Sequence, residues 1–138
     1  MPPEEVFLSH SERDRGFVVQ LAAELERHGI RYWYSRSHIL AAQNWHDEIG
    51  KALERCDWFL LVLSPEAVKS KWVKRELLYA LDQDRYEGRI LSILHQPCAH
   101  RDLSWSLGPF QSVDCCAQGF DHACRQLLRV WGIGYISR

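Results

Sequence analysis

The sequence predicts an open α/β fold, a parallel five-stranded sheet with helices packed on both faces. Three observations carry this. Short apolar runs alternate with helical-period segments almost without exception, which implies βαβ crossovers and parallel pairing. The run 57–63 (Asp-Trp-Phe-Leu-Leu-Val-Leu) is apolar after its first residue, as a central strand covered on both faces should be. At 138 residues, 46% hydrophobic and 25% charged, the chain has material for one domain with a real core, residues 1–138 with the core over about 5–133.

Taken in order, residues 5–9 (Glu-Val-Phe-Leu-Ser) form a buried first strand, followed by a polar turn in which Ser11 or Asp14 caps the next helix. Phe17, Val18, Leu21, Ala22 and Leu25 give a helical stripe that closes at His28-Gly29, with glycine at the usual left-handed terminating position. Residues 30–34 (Ile-Arg-Tyr-Trp-Tyr) read as a second strand. Residues 35–44 read as a loop, with Asn44 capping a helix whose face carries Trp45, Ile49, Ala52, Leu53 and Cys56. After the central strand, Ser64-Pro65 is a hydroxyl cap with proline at the first helical position, and Ser70 restarts a helix over 71–81. Gly88 sets off a fourth strand over 89–94, and residues 97–109 are loop. Residues 110–113 form a short edge strand, and a last amphipathic helix carries Phe120, Cys124, Leu127, Leu128 and Trp131.

Several classes of function are disfavoured. A net charge of −1 gives no footprint for nucleic acid or a membrane surface. No apolar run approaches the ~18 residues of a membrane-spanning helix, and no signal-peptide pattern opens the chain, so a cytoplasmic location is expected. Five cysteines in no paired zinc spacing are expected to be reduced thiols without metal. There is no Walker loop, no G-x-G-x-x-G after the first strand and no Gly-x-Ser-x-Gly elbow. A phosphoacceptor domain of this architecture needs an aspartate where this chain has Leu63-Ser64.

In an open parallel sheet, ligands bind at the carboxyl ends of the strands, here His10-Ser11, the loop after Tyr34, and Ser64-Pro65. The helix 71–81 follows the central strand into that region. At about 100° per residue, Glu76 lies roughly 60° from Val73, on the flank of the stripe made by Val73, Leu77, Ala80 and Leu81. Trp72 projects from the same side one turn earlier. A carboxylate against a large aromatic at a core boundary is a candidate for a raised pKa or a ligand contact. Helix geometry alone favours an ordinary surface glutamate paired with Lys71, Lys74 or Arg75. Trp33 and Trp58 read as packing residues, and Arg36 and His38 as solvated loop residues.

Three motifs in register then resemble the TIR (Toll/interleukin-1 receptor homology) domains, with the look of a bacterial member of the NAD+-cleaving type. They are Val6-Phe7-Leu8-Ser9-His10-Ser11, the segment 52–65 ending in Ser64-Pro65, and Trp72-Val73-Lys74-Arg75-Glu76, which is similar to the family's Trp-x-x-x-Glu. The resemblance covers Val6 to about Trp131 and implies the flavodoxin-like TIR fold. It implies Glu76 as the catalytic carboxylate, stabilising oxocarbenium character as the nicotinamide–ribose bond breaks. It further implies Trp72 as a wall of the ribose pocket, Trp45 against the nicotinamide end, and Ser9 and His10 at the pocket's border. NAD+ is then substrate and no cofactor is needed. Implied partners are other TIR domains through self-association, which in the family often completes the pocket, and an upstream sensor or downstream effector in antiphage or stress signalling. Where the family's gating loop usually carries glycine, this chain has Ala41-Ala42-Gln43, which restricts the backbone. Two further readings accompany the enzyme, an interaction module that scaffolds TIR domains without turnover and a nucleotide sensor without cleavage. A scaffold has no physical need for both Trp72 and Glu76.

Overall fold

A computed structural model describes residues 2–34, 42–103 and 111–137, with the backbone alone at 42–46, 100 and 111. Five strands, β1 (Glu5–Ser9), β2 (Arg31–Tyr34), β3 (Trp58–Leu63), β4 (Ile90–Leu94) and β5 (Gln111–Asp114), form one sheet in the order β2-β1-β3-β4-β5. Every pairing is parallel. Among the described residues six α-helices surround it: α1 (Arg15–Arg27), α2 (Ala42–Arg55), α3 (Pro65–Lys69), α4 (Lys71–Leu81), α5 (Cys115–Gln118) and α6 (Phe120–Val130). The strand order reverses direction between β1 and β3, and that switch point is where a doubly wound sheet opens a crevice at its carboxyl edge.

Strand periodicity divides the core into two layers. Val6, Leu8, Leu60, Val62, Leu91 and Ile93 face one way, against Val18, Leu21 and Leu25 of α1 and Leu127 and Leu128 of α6. Phe7, Phe59, Leu61 and Leu63 face the other way, against Ile49 and Leu53 of α2 and Val73 and Leu77 of α4. Trp33 stacks on Phe7 at 5.2 Å and Trp58 meets Trp131 edge-on at 5.8 Å, so both strand tryptophans are packing residues. Cys56 is fully buried, and burial pushes its thiol up to about 12.

Local chemistry explains the element ends. Ser64 accepts from the Ala67 amide with Pro65 opening α3, and Ser70 accepts from the Val73 amide to start α4. Gly29 and Gly88 take left-handed φ values of 76° and 73° where the chain enters β2 and β4. Ser11 caps a 3-10 turn over Glu12–Asp14. Asp14 makes no cap bond to α1 and instead accepts the Ser64 hydroxyl in the buried interior, tying the start of α1 to the end of β3.

Four sequence expectations shift. The helix expected to be capped by Asn44 begins at Ala42, because Ala and Gln extend it by two residues and leave Asn44 inside it. The edge strand runs one residue later than expected, with Asp114 paired to Leu94. Asp114 then caps α5, a short helix the sequence reading did not contain, by accepting from the Cys116 and Ala117 amides. The expected loop 97–109 contains a 3-10 turn over His100–Asp102. Trp105, Phe110, Arg36 and His38 lie outside the described residues, as does Ala41 of the expected gating loop.

Candidate active site

The site begins with α4. Trp72, Arg75, Glu76 and Tyr79 are spaced i, i+3, i+4, i+7 and share one face of that helix. Opposite them, α2 presents Ile49, Gly50, Leu53 and Glu54. The two faces enclose a cavity of about 230 Å³, lined mainly by apolar surface.

Glu76 lies at the inner side of this cavity. Its side chain is almost wholly removed from water, at 6% exposure, on the flank of an otherwise apolar stripe of Val73, Leu77 and Ala80. This corrects the expectation of a surface glutamate paired with Lys71, Lys74 or Arg75. Among the described residues it forms no ion pair, and its hydrogen-bond partner is a hydroxyl: Ser9 Oγ donates to Glu76 Oε1 at 2.7 Å. Burial pushes the Glu76 carboxyl up to about 7, and the bond from Ser9 opposes that shift. Period-2 alternation explains the pairing. Ser9 follows Phe7 on the face of β1 that meets α4, and Ser9 is itself buried at the strand's carboxyl end.

Trp72 stands one turn before Glu76 and remains 36% exposed, so the indole walls the cavity rather than filling the core. The Arg75 guanidinium lies over that indole, with Cζ 5.2 Å from the ring centroid. Gly50 leaves open space on the α2 side, since a Cβ placed there would meet no neighbour within 4 Å.

The structure thus brings together Glu76, Trp72 and Ser9. Glu76 and Trp72 line the cavity, whereas Ser9 backs Glu76 without being among the lining residues. His10 turns the other way, edge-on to Tyr34 at 5.8 Å, and is likewise not among them. Both His10 ring nitrogens are buried without a hydrogen-bond partner among the described residues. That burial holds the imidazole below its ordinary pKa, with the Leu8 carbonyl opposing the shift without reaching hydrogen-bond geometry. Trp45 lies within α2, but its side chain is outside the description. The sequence does not mark Tyr79 or Gly50 as site residues, and it offers Arg75 only as a salt-bridge partner for Glu76. The i, i+3, i+4, i+7 spacing from Trp72 would have found Arg75 and Tyr79. Among the described residues no cluster of three or more His, Cys, Asp or Glu side chains has the arrangement of a metal site.

The domain is thus an open parallel α/β sheet with a buried carboxylate beside its switch point, the region where folds of this architecture bind ligands. The TIR domain family model matches residues 6–128, and the chain belongs to that family. The chain is similar to the NAD(+) hydrolase PdTIR of Paracoccus denitrificans (strain Pd 1222), 32% identical over 108 residues that cover 76% of this chain and 36% of that protein. It is also similar to the 2' cyclic ADP-D-ribose synthase AbTIR of Acinetobacter baumannii (strain 1295743), 28% identical over 108 residues covering 76% and 40%. The chain therefore spans about two fifths or less of those relatives. Among solved structures, the TIR domain of the Toll-related Receptor TRR-2 from Hydra magnipapillata superposes with TM-score 0.69 and 22% identity, covering 91% of this chain and 95% of that one. The TIR domains of the activated Roq1 resistosome superpose with TM-score 0.71 and 16% identity, covering 91% and 98%. Likeness at these identities shows the fold.

Proposed function

We propose that this domain cleaves the nicotinamide–ribose bond of NAD+, as a hydrolase or an ADP-ribosyl cyclase, with Glu76 as the catalytic carboxylate. The observation that carries the reading is the buried Glu76 carboxylate at the inner side of a cavity walled by Trp72. The activities named for the relatives PdTIR and AbTIR support it.

The chemistry suits a site with one carboxylate. Nicotinamide in NAD+ is bonded as a cationic pyridinium and departs neutral, so its departure needs no proton donor. Positive charge instead develops at the ribose C1′ as the bond lengthens. A preorganised carboxylate in a water-poor site stabilises that charge more in the transition state than in the ground state. Ser9 would hold Glu76 in position from behind, and Trp72 would flank the ribose. Trp45 and His10 are proposed as more distant contacts of the nicotinamide end and the pocket border. NAD+ serves as substrate, with no cofactor. The proposed setting is a cytoplasmic defence or stress response, with self-association through TIR–TIR contacts and a sensor or effector attached.

Nicotinamide release from NAD+ at high protein concentration, in wild type and Glu76→Ala, tests this. Release by wild type that is lost in the variant supports it, and turnover surviving in Glu76→Ala removes the residue assignment. A second reading, a TIR–TIR interaction module without turnover, draws on the fold shared with the TIR domains of the activated Roq1 resistosome. Absence of release under assembling conditions would favour it.

A further inference from the structure

Among the described residues that line the cavity between α2 and α4, one carries a positive charge. The charged residues lining it are Glu54, Arg75 and Glu76. Two are acids, so among the described lining residues Arg75 is the cation an anionic ligand meets. Arg75 is exposed to solvent, and among the described residues it makes no ion pair. Its guanidinium is nevertheless placed, because it lies over the Trp72 indole at 5.2 Å. A cation held by stacking on an aromatic keeps its N–H edge available to an oxyanion, and less order is lost when the ligand arrives.

Size indicates which part of a ligand meets that edge. Pockets that enclose a whole drug-sized ligand hold about 300–1,000 Å³, and this cavity, at about 230 Å³, is smaller. The part of the cavity bounded by described residues is therefore smaller than a dinucleotide, which extends past its rim. With nicotinamide and its ribose inside next to Glu76, the chain of the ligand crosses the rim at its diphosphate.

We infer that Arg75 is the diphosphate-binding residue of this site and selects for dinucleotide substrates by a bidentate contact at the cavity rim. The inference rests on the NAD+ reading above. The planar fork matches two phosphate oxygens, and Lys at the same place would supply charge without the fork. Trp72 then has two jobs, walling the ribose on one side and holding Arg75 over the rim on the other.

The test is nicotinamide release across a range of NAD+ concentrations by wild type, Arg75→Gln and Arg75→Lys. Arg75→Gln should raise KM about tenfold or more, the loss of one charge-assisted contact, with the effect on KM exceeding that on kcat. Arg75→Lys should fall between the two. Added salt should raise KM in wild type and less so in Arg75→Gln. An unchanged KM in Arg75→Gln, or a loss confined to kcat, overturns the inference. Should wild type release no nicotinamide, the cleavage reading fails, and calorimetric titration with ADP-ribose, which keeps the diphosphate and lacks nicotinamide, decides the inference separately. Binding to wild type about tenfold tighter than to Arg75→Gln supports it. Equal binding, or none to wild type, overturns it.

Discussion

Ser9 Oγ donates to Glu76 Oε1 across 2.7 Å, joining residues 67 positions apart at the carboxyl edge of the sheet. This bond links the end of β1 to the middle of α4 and opposes the rise that burial imposes on the Glu76 carboxyl, pushed up to about 7. Replacing Ser9 by Ala removes the opposition. The Glu76 carboxyl should then titrate higher, and the midpoint of the kcat/KM rise with pH should move to more alkaline values. An unmoved midpoint would mean that the hydroxyl does not tune the carboxylate.

The same carboxyl makes stability depend on pH in a definite direction. Its folded value of about 7 exceeds the ordinary 4.5, so between those values the folded state holds a proton that the unfolded state has released. Stability from this group falls as pH rises from about 4.5 to about 7, by roughly 3 kcal/mol. Glu76→Gln keeps the shape without the charge. It should melt higher than wild type above pH 7, with the advantage fading toward pH 4.5. Parallel melting curves across that range would count against a raised carboxyl.

Gly50 offers a steric test. A side chain there enters open space, so Gly50→Leu should occupy the cavity while α2 gains helix propensity worth up to about 1 kcal/mol. Melting should hold or rise while nicotinamide release falls at least tenfold. Retained release in a well-folded Gly50→Leu would place the reaction elsewhere.

Ser64 should matter for the position of the site without touching it. Its hydroxyl caps α3 and donates to buried Asp14, so Ser64→Ala removes a cap and leaves a buried carboxylate short of a donor. Loss of about 2 kcal/mol is expected from chemical denaturation. A loss below about 0.5 kcal/mol would show that the bond contributes little.

The alternation of strands and helices was legible because both periods are long and clean. The Ser64-Pro65 and Ser70 starts were legible because a hydroxyl cap is a local device. The burial of Glu76 was not, because α4 alone places it on a stripe's flank. What decides its environment is Ser9, on a strand that meets it only after folding. Helix spacing offers Arg75 both Glu76 and Trp72 as neighbours, and in the fold its guanidinium lies over the Trp72 indole, one turn away, rather than on Glu76. The start of α2 was displaced because Asn44 has a capping side chain but stands after residues that extend a helix equally well. Short α5 was missed because Asp114 can end a strand and cap a helix at once.

With the pocket completed by a neighbouring molecule, as the family resemblance implies, nicotinamide release should rise faster than linearly with protein concentration. A strictly proportional dependence would argue for a self-sufficient monomer.

The most direct measurement is nicotinamide release from NAD+ by wild type and Glu76→Gln at matched high concentration and pH 8, where the wild-type carboxyl is ionised. Wild type should turn over and the folded Gln variant should lose at least about a hundredfold, an order of magnitude typical of removing one preorganised charge-stabilising group. Turnover by Glu76→Gln within a few fold of wild type would contradict the catalytic role of Glu76.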